Sequence, residues 1–248
     1  MIVLPMAGLS RRFLDAGYDR PKYELLLAGR PVFDWALLSF ERSFTTEPIM
    51  LVYRDMPGLT RFLEERCTAC GASNVKLVPL PEPTRGQAET VALGLDKAGS
   101  GSDDPLTIFN IDTFRPGLSI ASSVSECRGS LETFVGEGSH WSFVEPSAPD
   151  SDRVRRVVEK VRISHYCCTG LYQFSDTRTF SRAYEQELAN RSSHELFVAP
   201  LYQHMINDGL EVRYTVIDPS EVLFCGTPDE YELLRSDEGR VLMAFGRA

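Results

Sequence analysis

The sequence predicts an α/β protein, a Rossmann-like three-layer α/β/α fold with a mixed, mostly parallel central sheet. Three observations carry this. In the first half, short apolar runs alternate with amphipathic stretches in the rhythm strand, helix, strand, helix, the pattern of a parallel sheet covered by helices on both faces. In the second half, strand-like runs are joined by turns rich in Gly, Ser, Pro and Asp, which makes the sheet mixed. The 248 residues suffice for a large core, and the 43% apolar and 25% charged content is that of a globular chain.

In chain order, residues 2–5 (IVLP) read as a buried strand, and 32–44 (VFDWALLSFERSF) as a helix with Phe33, Ala36, Leu37 and Phe40 inward. A strand over 49–53, a helix over 57–70 ended by Gly71, a strand over 75–80, a helix over 87–98 and a buried strand over 106–110 follow. Later runs at 131–135, 141–144, 154–160 and 166–174 read as strands, 176–189 and 198–208 as helices, 211–217 and 222–225 as strands. A last helix starts after Pro228. The loop GSGSDDP at 99–105 is too short for a domain linker, so one domain spans residues 1–248: a half to about residue 112, a second half to about 227, and a helical segment over 228–248.

Charge and cysteine content narrow the function. The net charge of −9 argues against a non-specific nucleic-acid binder. No apolar run nears the roughly 18 residues of a membrane span, and the N-terminus lacks a signal-peptide pattern, so a cytoplasmic protein with free thiols is expected. Cys67 and Cys70 form a C-x-x-C without a second pair at matching spacing; Leu59, Leu63, Cys67 and Cys70 share one helical stripe, so they read as core rather than as zinc ligands. The four histidines, His140, His165, His194 and His204, show no ligand spacing.

Ligands of open α/β sheets bind at the carboxyl ends of strands, so the residues after each strand matter most. After the first strand come Ala7, Gly8, Ser10, Arg11 and Arg12, with Lys22 ten residues beyond. After 75–80 come Thr84, Arg85, Gly86 and Gln87; after 106–110 comes Asp112; after 154–158 come Glu159 and Lys160. Gathered cations, glycine turns and one carboxylate suit a polyphosphate with Mg²⁺. Gly8 lets backbone approach an anion, and Arg12 and Lys22 can neutralise phosphates. Each residue alone has a plainer reading: Arg11–Arg12 as a solvated pair, Asp112 as an Asx-turn, Glu159–Lys160 as a surface ion pair.

Six segments taken together resemble the sugar-phosphate nucleotidyltransferases. MAGLSRRF followed by Pro21–Lys22 is similar to their G-x-G-x-R loop and downstream P-K, and TRGQAET to their second nucleotide loop. FNIDTF resembles their metal-aspartate strand end, VVEKVRIS their E-K motif, CCTGLYQF their T-G-x-Y strand and FCGTPDEYE their closing segment. With HELFVAPLY, the pattern is most similar to members from capsular and surface-polysaccharide loci. The resemblance implies the nucleotide-diphospho-sugar transferase fold, with residues up to about 112 as the nucleotide half and about 113–227 as the acceptor half. It implies an NTP and a small phosphorylated acceptor as substrates. Ala7, Gly8, Ser10, Arg12 and Lys22 would then meet the triphosphate, Gly86 and Gln87 the base, and Asp112 the Mg²⁺. Lys160 would bind the reacting phosphates, and Glu159, Thr169, Gly170 and Glu195 the acceptor. For Glu195 the residues equally allow a capping box with Ser192.

Three departures stand out. Ser10 replaces the family's second glycine. Phe224 stands where a second metal aspartate is expected, leaving Asp218 or Asp229 as substitutes, and the tryptophan-bearing segment before the closing motif is absent; Trp141 reads as a packing residue. Two other readings remain at this stage: a glycosyltransferase of related fold, for which Asn110-Ile111-Asp112 would stand in for Asp-x-Asp, and a catalytically degenerate nucleotide-binding protein.

Overall fold

Along the first strand, β1 (Ile2–Met6), Ile2, Leu4 and Met6 enter one hydrophobic core and Val3 another. This two-residue alternation continues in β4 (Ile49–Arg54), where Ile49, Leu51 and Tyr53 join the first core and Met50 and Val52 the second. A sheet buried on both faces needs helices on both, and the chain supplies them. The computed structural model describes residues 1–120, 127–190 and 193–247.

The helices α2 (Val32–Leu38), α3 (Leu59–Cys70), α7 (Pro228–Ser236) and α8 (Glu238–Ala244) pack on the first face, and α4 (Gln87–Ala98), α5 (Thr177–Ala189) and α6 (Ala199–Asn207) on the second. Leu59, Leu63 and Cys67 are buried on one stripe of α3, as their spacing predicts. A short helix α1 (Arg11–Asp15), a hairpin of β2 (Leu26–Leu27) and β3 (Arg30–Pro31), and β7 (Thr113–Phe114) were not anticipated.

The strands β5 (Val75–Leu80), β4, β1 and β6 (Leu106–Phe109) lie side by side and parallel. The long strand β11 (Tyr166–Phe174) then runs antiparallel to β6, and β8 (Gly129–Val135) antiparallel to β11; β12 (Val212–Ile217) lies parallel on the outside of β8. β9 (Ser142–Pro146) pairs with the first part of β11 and with β10 (Val154–Glu159). The sheet is therefore mixed and mostly parallel in its first half, as expected.

The middle of β11 positions the site. Its partner changes from β9 at Tyr166–Cys167 to β6 from Leu171 onward, and its register against β8 shifts between Cys168 and Tyr172. Gly170 lies in the break with φ 99°, and a Cβ there would overlap the Asn110 side chain. Only glycine meets both demands. The break parts β6 from β9, and the cleft opens there.

Several boundaries differ from the sequence reading. The helix predicted over 32–44 ends at Leu38, where the Ser39 hydroxyl donates back to the Trp35 carbonyl (3.2 Å) and a short 3₁₀ turn follows. The strand predicted to Lys160 stops at Glu159, because Lys160 adopts φ 55°. The strand predicted over 222–225 shrinks to β13 (Leu223–Phe224), paired with β7 outside the main sheet. The terminal helix is two, since Asp237 both ends α7 and caps α8.

Candidate active site

A cleft of about 650 Å³ runs along the carboxyl ends of β1, β5, β6 and β10. Every residue expected at a site lines it: Ala7, Gly8, Ser10, Arg12, Lys22, Gly86, Gln87, Asp112, Glu159, Lys160, Thr169, Gly170 and Glu195. Chain folding thus gathers four strand ends into one place.

The loop after β1 is open toward the cleft. The N–H groups of Gly8, Leu9 and Ser10 donate to no described residue, and a Cβ on Gly8 would meet nothing within 4 Å. Ser10 caps α1 in the left-handed region, φ 49° and ψ 31°. The Arg11 and Arg12 side chains are exposed and form no hydrogen bond or ion pair with any described residue. Uncommitted donors and guanidinium groups beside empty space are what an anionic ligand requires.

On the cleft floor Lys22 forms an ion pair with Asp112. The Asp112 carbonyl accepts from the Cys225 N–H (2.8 Å), which ties this strand end to the closing segment. A Cβ on Gly226 would stand 2.9 Å from Asp112 Oδ2 and 3.5 Å from Glu230 Oε2, so two carboxylates flank this glycine. Glu230 Oε2 accepts from the N–H groups of Gly226 (2.8 Å) and Thr227 (2.9 Å), as the third helical residue of a capping box.

The second loop is braced by backbone. Gly86 has φ 155°, and a Cβ there would overlap the Leu196 backbone. Leu196 donates to the Arg85 carbonyl (3.0 Å) and accepts from Ala88 N–H (2.9 Å). The glycine is therefore required by the 193–198 segment packed against it. Gln87 Nε2 donates to Asn110 Oδ1 (2.9 Å), and Arg85 is held by Glu89.

At the far end stand Glu159, Lys160, Glu195 and a group of aromatic rings. Burial is the main cause that raises the Glu159 carboxyl above its ordinary value, and Glu195 adds to it, while the Ser142 hydroxyl bond and Lys160 oppose. Trp141 and Phe224 pack with ring centroids 4.6 Å apart, and Phe134 lies behind both at 5.1 Å. The Thr169 hydroxyl is turned from the cleft, donating to Glu132 Oε1 (3.0 Å), which also pairs with Arg115 (3.2 Å).

No family profile and no curated protein matches the chain. Among solved structures, a nucleoside-diphosphate-sugar pyrophosphorylase from Vibrio cholerae RC9 is 39% identical with TM-score 0.91, over 96% of this chain and 100% of that one. The chain belongs to the sugar-phosphate nucleotidyltransferase family. Two more distant structures share the fold: an inositol-1-phosphate CTP transferase from T. maritima (14% identity, TM-score 0.72, 97% of this chain and 95% of that one) and a protein from Bacillus anthracis, described as a glucose-1-phosphate thymidylyltransferase in complex with a sucrose (17% identity, TM-score 0.74, 95% and 93%).

Ser10, where the motif resemblance expects a glycine, adopts the left-handed backbone at a cost. Phe224 is not a vestigial ligand, because its ring belongs to the aromatic group with Trp141 and Phe134. Neither substitute carboxylate lines the cleft: Asp218 caps the turn at Pro219–Glu221 and Asp229 is exposed on α7. Trp141, read from sequence as packing, lines the cleft as well. Glu195 lies 3.9 Å from Lys160, whereas its alternative capping partner Ser192 is outside the described residues.

Sequence reasoning missed Phe197 and Glu230, and named Asn110 only in the glycosyltransferase reading, not as the partner of Gln87. Glu230 left a signal, since T-P-D-E is a capping-box pattern directly after the closing motif. The contacts of Asn110 with Gln87 and of Phe197 with Lys160 left none, because those partners are distant in sequence.

Proposed function

We propose that the protein joins an NTP to a small phosphorylated acceptor, such as a sugar phosphate, with release of pyrophosphate. The observation that carries this is the convergence of Arg12, Lys22 and Lys160, from three separate segments, on one cleft beside Asp112. From the motif resemblance we infer that the product serves capsule or surface-polysaccharide synthesis, and that the reaction is cytoplasmic, where NTPs are made. No helix of the described residues is long and apolar enough to cross a membrane.

An oxygen of the acceptor's phosphate attacks the α-phosphorus. The new P–O bond forms as the bond from the α-phosphorus to the α–β bridging oxygen breaks, and its electron pair leaves with pyrophosphate. A phosphate monoester is mostly dianionic at pH 7, with a second pKa of about 6, so no side chain has to remove a proton. The residues act by position and charge. Arg12 reaches the departing pyrophosphate, the free N–H groups of Gly8–Ser10 cradle its oxygens, and Lys160 meets the charge gathering where the bond forms. Gln87, oriented by Asn110, faces the base. Glu159 and Glu195 accept hydrogen bonds from acceptor hydroxyls, and the Trp141–Phe224 rings offer an apolar face beside them.

Mg²⁺ fits this donor set. Asp112 offers a hard carboxylate oxygen next to a glycine whose missing Cβ keeps that side open, and Mg²⁺ is commonly held by one or two carboxylates with phosphates and water completing its shell. When bound, the ion would draw charge from the phosphate oxygens; Lys22, now paired with Asp112, would then be free to turn to phosphate.

The test is pyrophosphate release from each NTP with a panel of sugar phosphates and phospho-alcohols in Mg²⁺. Release that depends on acceptor is expected. Tight NTP binding with no release from any pair would overturn the proposal.

A further inference from the structure

Lys160, just past the end of β10, adopts the left-handed region, φ 55°, a conformation costly for a side chain bearing a Cβ. Its N–H donates to the Trp141 carbonyl (2.9 Å), which holds the turn. Its ammonium lies 4.1 Å from the centroid of the Phe197 ring and 3.9 Å from both Glu159 Oε1 and Glu195 Oε2. A cation over an aromatic face is attracted by the ring quadrupole. Phe197 is itself placed by its neighbour Leu196, whose backbone bonds Arg85 and Ala88 on either side of Gly86.

We propose that Phe197 is a positioning residue: its ring holds the Lys160 ammonium at the cleft, and the Arg85–Ala88 loop fixes that ring through Leu196. The loop expected to meet the base is thereby in mechanical contact with the cation expected to meet the reacting phosphates. The clamp is complementary in chemistry. The two carboxylates and the ring hold the ammonium beside the cleft, and an incoming phosphate dianion competes with them for it. A side chain at Gly86 would overlap the Leu196 backbone and so would have to displace the residue next to Phe197. The catalytic part of this inference rests on the phosphate-binding role proposed above for Lys160; the clamp itself does not.

The chain has only four lysines, at 22, 76, 97 and 160, so limited acylation with acetic anhydride can be read at each by peptide mass spectrometry. Lys76 bonds the Ala98 carbonyl and Lys97 the Pro79 carbonyl, away from the cleft, and serve as internal standards. In Phe197→Leu, Lys160 is expected to acylate about two- to fivefold faster relative to Lys76, the factor a surface cation–π contact represents. The turnover number should fall by about tenfold through misplacement, with the KM for NTP unchanged. Phe197→Tyr, which keeps the ring, should restore both. Equal acylation of Lys160 in wild type and Phe197→Leu would overturn the clamp, as would equal impairment of Phe197→Leu and Phe197→Tyr. Faster acylation with unaltered turnover would leave the clamp but overturn the positioning role and the part given to Lys160 in the reaction.

Discussion

Lys22 and Asp112, 90 residues apart in the chain, meet as an ion pair on the floor of the cleft. The pair joins the segment after the first loop to the end of β6, and each partner is mostly shielded from water, at 20% and 18% exposure. Asp112→Ala is expected to lower turnover by at least ~100-fold, the usual loss when an electrostatic contributor to the transition state is removed. Steady-state pyrophosphate release at saturating substrate checks this; a loss under tenfold would remove Asp112 from the reaction.

Arg12 differs from Lys22 in having no partner among the described residues, so no described contact of the fold depends on its charge. Arg12→Ala should cut turnover by at least ~100-fold while leaving the melting temperature unchanged. Arg11→Ala should be near wild type in both. Kinetics and thermal melts of the two variants side by side decide the assignment, and near wild-type turnover of Arg12→Ala would refute it.

Ser10 sits at φ 49° without a side-chain cap bond. The left-handed region costs an L-residue about 1–2 kcal/mol, while glycine brings about 0.5–1 kcal/mol of extra unfolded-state entropy. Ser10→Gly is therefore expected to stabilise the protein by about 0.5 kcal/mol, the remainder of those two terms. Urea titration measures it; a destabilised variant would show that the hydroxyl is used.

Glu159 has its carboxyl raised above 4.5, chiefly by burial. In the folded state it holds its proton to higher pH than in the unfolded state, so its ionisation costs stability. That cost sets in as pH rises through the unfolded value and is complete above the raised folded one. Glu159→Gln, which can still accept from Ser142, should be more stable than wild type at pH 7, with the difference shrinking toward pH 4. Melting curves across that range test the sign.

Trp141 provides an optical readout. The chain has two tryptophans, and Trp35 is fully buried in the first core, whereas Trp141 lines the cleft beside Phe224. Acceptor binding should change the emission of wild type and not of Trp141→Phe. An unchanged signal with an acceptor that supports turnover would take the aromatic group out of the acceptor site.

Much of the site was legible because strand ends in an α/β sheet face one edge, and strands can be read from period-two burial. Gly8, Arg12, Lys22, Gly86, Asp112 and Lys160 all line one cleft as that rule predicts. Their partners were not legible. Nothing near Lys22 in sequence points to Asp112, and nothing near Lys160 points to Phe197. Gly86, which the resemblance expects to meet the base, also admits the backbone of Leu196, a neighbour distant in sequence.

The sequence alone determined the alternating helices and strands, the parallel first half of the sheet and the residue types at each strand end. Local periodicity and turn chemistry encode these, and both are written in neighbouring residues. Tertiary structure decided which charges pair and which stay free, that Phe224 joins an aromatic wall, and that the break at Gly170 opens the cleft. Those outcomes depend on long-range packing and on how much water each group loses, quantities set only when distant segments meet.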